Sequence, residues 1–223
     1  HLYGPSNNDF TSGWTISFWY YINSFQNFGM LIGNYSGDVG VWISEFQTFG
    51  SRYFRFLVAR TVGNAGITRS NTPLQTGQWY HVTWTKAAGS TGTLADKYTV
   101  YINGSIEGQT LIANQINNWQ TTNYNPGTNW FTTAQDTGGF GTHSNSCQFA
   151  FFNKELSAAE VSEIYNGGVT IDYQTTSVGS NLLWYVPVDV NDGPGSNTVI
   201  ERIAGNNGTT TNMTAANFQT LVP

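Results

Sequence analysis

The chain has 223 residues, 39% hydrophobic and 15% aromatic, enough apolar surface for a sizeable core and a length that fits one large all-β domain. Only 9% are charged, eight Lys and Arg against thirteen Asp and Glu for a formal charge of −5, and without a basic run to neutralise phosphates a nucleic-acid partner is not expected. The single cysteine, Cys147, rules out an internal disulfide and a cysteine-based zinc site and reads as a small buried hydrophobe; no apolar run approaches the ~18 residues of a membrane span, so no membrane insertion is expected.

The first element in chain order is WTISFWYYI. Its period of two puts Trp14, Ile16, Phe18, Tyr20 and Ile22 on one face and Thr15, Ser17, Trp19 and Tyr21 on the other. Further strands are predicted at FGMLIGN from Phe28, GVWISEF from Gly40, YFRFLVAR from Tyr53 and QWYHVTWTK from Gln78, each rich in β-branched or aromatic residues. In the last of these, His81 alternates with Thr83 and Thr85, opposite Tyr80, Val82 and Trp84, and reads as structural because no Ser or Asp partner accompanies it in sequence. The strand KYTVYI from Lys97 runs into Asn103-Gly104, a dipeptide suited to the positive φ angles of a tight hairpin.

From Ala113 to Gly139 the composition shifts to Asn, Gln, Thr and Gly around Trp119, Tyr124, Trp130 and Phe131. That stretch is longer than a hairpin loop and predicts a functional excursion. After the strand SCQFAFFN from Ser146, Ser157-Ala-Ala-Glu160 reads as a capping box that opens a short helix, with Val161, Ile164 and Tyr165 on one apolar face and Gly167 closing it. The helix is expected against the sandwich edge. The strand LLWYVPV from Leu182 comes last. Many short strands with almost no helical periodicity predict an all-β fold, a two-sheet antiparallel jelly-roll sandwich with one short helix.

Gly77-Gln-Trp79-Tyr-His81-Val-Thr-Trp84-Thr, followed by Tyr98-Thr-Val-Tyr101-Ile-Asn103-Gly104, resembles the paired central strands of laminin-G-like domains. Phe149 to Leu156, then Ser157 to Gly168, resembles the strand and helix that end those domains and that pentraxins share. The resemblance implies a concanavalin-A-like sandwich. Leu182 to Asp189, with Gly205 to Thr209, resembles the hairpin with which such domains begin, yet here it follows them. Either it completes the same sandwich in permuted order or it opens a further repeat; the usual nearness of sandwich termini favours completion, one domain across 1–223. A chain opening on His1 is expected to be an excerpt or a processed product.

The tail Thr211 to Pro223 is similar to the endings of laminin-G-like proteins of phage virions. That resemblance implies a non-enzymatic module on a virion surface or appendage: a capsid decoration, tail fibre or spike that covers other virion proteins or binds carbohydrate on a host. A homo-oligomer would follow from such a setting. The rival is a secreted or cell-surface calcium-dependent lectin or adhesion domain, and a glycoside hydrolase stands third. Hydrolases of this fold carry Glu-x-Asp-x-x-Glu on one strand so that acid and nucleophile face the sugar, and that motif is absent; Glu155 and Glu160 surround the helix, and Asp189 and Asp192 lie in a Gly- and Asn-rich turn.

For sugar binding, Trp119, Tyr124 and Trp130 could stack on a pyranose while Asn129 and its neighbouring amides bond the hydroxyls, or the same rings could fold inward or meet a neighbouring subunit. Calcium is the cofactor the resemblance implies, with Asp136 and Gln135 where pentraxins carry ligands and Asp38 as a second oxygen donor. A departure is that Cys147 and Gln148 stand where many of these domains have an Asp. His143 has no second ligand to indicate zinc. The Asn-x-Ser/Thr sites at Asn34, Asn103, Asn207 and Asn212 are what an Asn- and Thr-rich chain produces by chance.

Overall fold

Period-two alternation in WTISFWYYI seals Trp14, Ile16, Phe18, Tyr20 and Ile22 in the core, because each Cβ on that face points at the opposing sheet. The computed structural model describes residues 2–3, 13–25, 29–36, 39–48, 50–61, 64–88, 97–114, 129–132, 143–188, 198–205 and 207–209. Among these the strands are β1 (Leu2–Tyr3), β2 (Trp14–Ser24), β3 (Met30–Ser36), β4 (Val39–Thr48), β5 (Ser51–Thr61), β6 (Asn64–Ser70), β7 (Trp79–Lys86) and β8 (Tyr98–Ile102). They continue with β9 (Ser105–Glu107), β10 (Gln109–Asn114), β11 (Asn129–Thr132), β12 (His143–Phe152), β13 (Leu182–Val186), β14 (Thr198–Val199) and β15 (Gly208–Thr209), with one helix, α1 (Ala158–Tyr165). No helix among the described residues is long and apolar enough to cross a membrane.

A six-stranded sheet runs β13-β12-β2-β7-β8-β9 and a seven-stranded one β1-β11-β3-β4-β5-β6-β10. Every pairing in them is antiparallel. This is the predicted jelly-roll arrangement. Along the inner face of the six-stranded sheet Trp14 crosses Trp84 edge-on at 5.2 Å and Phe18 stacks on Phe149 at 5.7 Å, and Phe56 of the other sheet reaches across to Trp84 at 5.4 Å. A polar bridge spans the core, where the Tyr20 hydroxyl donates to the buried Glu45 carboxylate at 2.5 Å.

The other face of the six-stranded sheet is buried too. Thr15, Ser17, Trp19, His81, Thr83 and Thr85 are covered by helix α1 and the 3-10 turns at Tyr173–Thr175 and Gly179–Asn181. The expected capping box forms: Ser157 Oγ accepts from the Glu160 backbone N–H, and the Glu160 carboxylate accepts from the Ser157 N–H. Val161 and Ile164 sit with Tyr101, Phe152, Tyr173 and Tyr185, so the helix lies over the sheet's outer face, beside the edge strand β9. That face carries Trp19, Phe152 and Tyr185, which need a cover to leave water. Closure begins at Asn166 (φ 49°), one residue before the expected Gly167 (φ 64°).

The Asn103-Gly104 hairpin forms as predicted, both residues at positive φ. A side chain at Gly104 would come within 2.6 Å of the Tyr165 ring, so the turn and the helix end are built to each other. Leu182–Val186 joins the six-stranded sheet beside β12, and the Glu201 carboxylate satisfies the backbone N–H groups of Tyr185, Ile203 and Ala204. Within the stretch expected as one excursion, Asn129–Thr132 is a strand of the seven-stranded sheet. Strands β6 and β10, too polar to stand out by pattern, were not expected.

Trp84→Ala is expected to cost about 3–5 kcal/mol and Ser157→Ala about 1 kcal/mol, read from denaturant unfolding; equal effects would contradict this placement of the core.

Candidate functional site

Alternation that fills the core from β4, β5 and β6 also fixes what those strands show on their other side. β4 sends Val41, Ile43 and Glu45 inward and turns Trp42 and Ser44 to the outer face; β5 buries Phe54, Phe56 and Val58 in the core and turns Tyr53, Arg55 and Leu57 to the outer face, where Ser44 and Leu57 are themselves buried. The register then aligns these outer residues in rows. Gly33, Trp42, Leu57 and Ile67 form one, and Ser44, Arg55, Arg69 and Thr110 the next.

The Arg55 guanidinium lies over the Trp42 ring at 5.6 Å and Arg69 over Tyr53 at 4.3 Å. Arg55 Nε donates to Ser44 Oγ at 3.1 Å, and Arg69 Nη1 donates to the Ser70 carbonyl at 2.9 Å. Burial lowers the Arg55 pKa. Trp42, Tyr53, Arg55, Ile67 and Arg69 are each half-buried. Gly33 makes room for the indole, since a Cβ there would meet Trp42 Cβ at 2.5 Å. Chemically, the face offers aromatic planes that suit the apolar side of a sugar ring and planar donors that suit its oxygens.

A second polar constellation lies beneath the cap. The His81 Nε2 is 2.9 Å from Ser17 Oγ and 3.0 Å from the Tyr173 hydroxyl, and Ser17 is 3.1 Å from Thr83 Oγ1. Trp19 packs on the imidazole with ring centroids 4.8 Å apart. Burial pushes the His81 pKa down to about 3 and the Tyr173 hydroxyl well above its usual range, so the ring is neutral near pH 7. Its Nδ1 makes no hydrogen bond. With no exposed surface, the cluster fastens Tyr173 of the cap to β2 and β7. The structural reading of His81 stands, though with partners that sequence did not reveal.

Of the residues expected to bind sugar, Asn129 and Trp130 lie in β11, paired with Tyr3 and Leu2, and the next residue, Phe131, is level with Gly33. They therefore belong to the sheet that carries Trp42. Trp119 and Tyr124 lie outside the described residues, as do the expected calcium ligands Asp38, Gln135 and Asp136 and the carboxylates Asp189 and Asp192. Among the described residues no three His, Cys, Asp or Glu side chains group as metal ligands. Cys147 is buried with its thiol pushed up to about 12, and Gln148 donates to the Ile171 carbonyl at 2.6 Å. Glu160 pairs with Lys154 at the helix start, and Asn103 Oδ1 accepts from the His81 backbone N–H.

The sequence profile of the concanavalin A-like lectin/glucanases superfamily matches residues 2–162. Among solved structures, a candidate carbohydrate binding protein from Bacteroides ovatus aligns at 15% identity and a TM-score of 0.65, over 95% of this chain and 55% of that one. The chain thus spans about half the length of that protein. A heptameric SAP-like pentraxin from Limulus polyphemus aligns at 14% identity and TM-score 0.48, over 74% and 72% of the two chains. Domain 4 of an extracellular arabinanase from Geobacillus stearothermophilus, solved with arabinotriose, aligns at 16% and 0.46, over 72% and 68%. No curated protein matches the chain.

A histidine held near pKa 3 in the fold and 6.5 outside it is protonated more in the unfolded chain between those values, so stability is full above pH 6.5 and falls as pH drops toward 3. Between pH 7 and 4.5 the wild type is expected to lose roughly 5 °C or more beyond the loss in His81→Gln, measured by thermal melts; parallel slopes would contradict the buried neutral ring.

Proposed function

The chain belongs to the concanavalin A-like lectin/glucanases superfamily, and from that premise we propose that it is a non-enzymatic glycan-recognition module carried on a virion surface or appendage. The observation that carries the recognition reading is the outer face of the seven-stranded sheet, where Trp42 and Tyr53 rings alternate with the Arg55 and Arg69 guanidiniums. An aromatic face for the ring and fixed donors for its hydroxyls are what a saccharide needs. The fold shared with the Bacteroides ovatus protein, itself a candidate carbohydrate binder, supports the same reading. Asn129 and Trp130 on β11, with Trp119 and Tyr124, are proposed to extend the contact surface.

Support for the virion setting comes from the phage-like tail Thr211 to Pro223 and from an amide-rich, weakly charged composition that suits packing beside other virion proteins in a symmetric assembly. The non-enzymatic part draws on the missing Glu-x-Asp-x-x-Glu strand motif. Calcium, proposed at Asp38, Gln135 and Asp136, would make the module a cation-dependent lectin of a secreted or cell-surface protein.

On a glycan array the chain is expected to retain a bounded set of saccharides without cleaving them, and Tyr53→Ala is expected to weaken the best of these at least ten-fold with its melting temperature preserved. Retention of no saccharide, turnover of one, or full binding by Tyr53→Ala, Trp119→Ala and Trp130→Ala alike would contradict the proposal. Loss of binding with chelator would select the calcium-dependent form.

A further inference from the structure

Residues 153–181 leave the six-stranded sheet at the end of β12 and return at the start of β13, and Phe152 and Leu182 are paired where the segment departs and rejoins. Asn153 closes the neck: its N–H donates to the Asn181 carbonyl at 3.0 Å, and its Oδ1 accepts from Asn181 Nδ2 at 3.1 Å. Every residue of this segment is described and none belongs to a strand, so it can lift without breaking a ladder. Side chains hold it down. Val161 and Ile164 pack with Tyr101, Phe152 and Tyr185, Thr15 accepts from the Leu156 N–H, Gln148 donates to the Ile171 carbonyl, and the Tyr173 hydroxyl meets His81. Of these groups only the imidazole changes charge near neutral pH.

An imidazolium donates from both nitrogens and needs an acceptor at each. Nε2 has the Ser17 and Tyr173 hydroxyls, whereas the buried Nδ1 has no hydrogen-bond partner. The titratable groups in the layer around the ring are Tyr165 and Tyr173 of the cap, Tyr101 of β8, Tyr185 of β13 and Cys147 of β12, phenols and a thiol that carry no charge between pH 5 and 7; β2 contributes Ser17 and Trp19. The cap's carboxylates are engaged elsewhere. Glu160 pairs with Lys154 and Ser157, Glu163 accepts from the Ser177 N–H at 2.8 Å, Asp172 accepts from the Gln174 N–H at 3.0 Å with Arg202 at 4.0 Å, and Glu155 is exposed. A proton on His81 is therefore desolvated without a counter-charge, and the Trp19 and Tyr165 rings, 4.8 and 5.7 Å away, return only part of that cost. With the cap closed, burial holds the ring at about 3 against an ordinary 6.5, so closure has its full strength above pH 6.5 and weakens as pH falls. We propose that residues 153–181 form an acid-released lid, latched by Tyr173 on His81, that lifts from the six-stranded sheet while both sheets stay paired and uncovers Trp19, Phe152 and Cys147. The lid is independent of what the seven-stranded sheet binds.

Cys147, the chain's single cysteine, is buried opposite Trp19 on the covered face, so its reactivity reports the opening. Labelling by 4,4′-dithiodipyridine, taken at each pH relative to the urea-unfolded chain, is expected to quicken at least ten-fold from pH 7 to pH 5 and to change less than two-fold in His81→Gln. Amide exchange over the same range, corrected for its intrinsic pH dependence, should show protection lost from residues 153–181 and kept in β4 and β5. Labelling that stays flat with pH, an equal rise in His81→Gln, or protection lost alike from both sheets overturns the lid. If His81→Gln does not fold, the wild-type profile carries the test: labelling should level off above pH 6.5 and rise below it with a slope of one proton, and a steeper slope, or a rise that begins only below pH 5 where carboxylates titrate, overturns the latch at His81.

Discussion

The six-stranded sheet is buried on both sides, by the opposing sheet on Ile16, Phe18, Tyr20, Val82 and Trp84 and by the cap on Thr15, Ser17, Trp19, His81 and Thr83. Burying the polar residues of that second face would be costly without partners, and the hydrogen bonds that join His81 Nε2 with the Ser17 and Tyr173 hydroxyls supply them. Thr15 does the same at the cap's entrance, donating to the Lys154 carbonyl at 2.7 Å and accepting from the Leu156 N–H at 3.0 Å. At the centre of the sheet both strand faces are thus covered, while Asn23 and Ile106 toward its margins remain exposed.

On the seven-stranded sheet the balance of forces is different. Two arginines facing each other across β5 and β6 repel by roughly 0.2–1 kcal/mol, while each stacked guanidinium gains about 0.5–1 kcal/mol, more as water is excluded. The stacking offsets the repulsion, and the two guanidiniums are placed by the same alternation that packs Phe54 and Phe56 into the core. The core and the proposed recognition surface would thus be two sides of the same three strands.

What was legible in the sequence is what depends on neighbours a few residues away. The alternation of Trp14 to Ile22, the capping box at Ser157 and Glu160 and the Asn103-Gly104 turn all act over local distances, and all formed as read. The Ser17, His81 and Tyr173 cluster joins residues 64 and 92 positions apart, and no local pattern encodes that meeting. The Arg55 and Arg69 pair was likewise hidden, because facing depends on the register of β5 against β6 and β6 is a polar strand, NAGITRS, that alternation does not mark. Trp130 and Asn129 illustrate the opposite error: amide-rich composition read as one loop, although Asn129–Thr132 finds hydrogen-bonded partners in Leu2–Tyr3 and in β3.

Amide hydrogen exchange of the chain with and without its best-bound saccharide tests the division of labour between the two sheets most directly. Protection gained at residues 41–44, 53–57 and 67–69, with the cap at 153–181 unchanged, is the predicted result. Protection confined to the cap or to β7 and β8 would place the ligand on the six-stranded sheet and contradict that division.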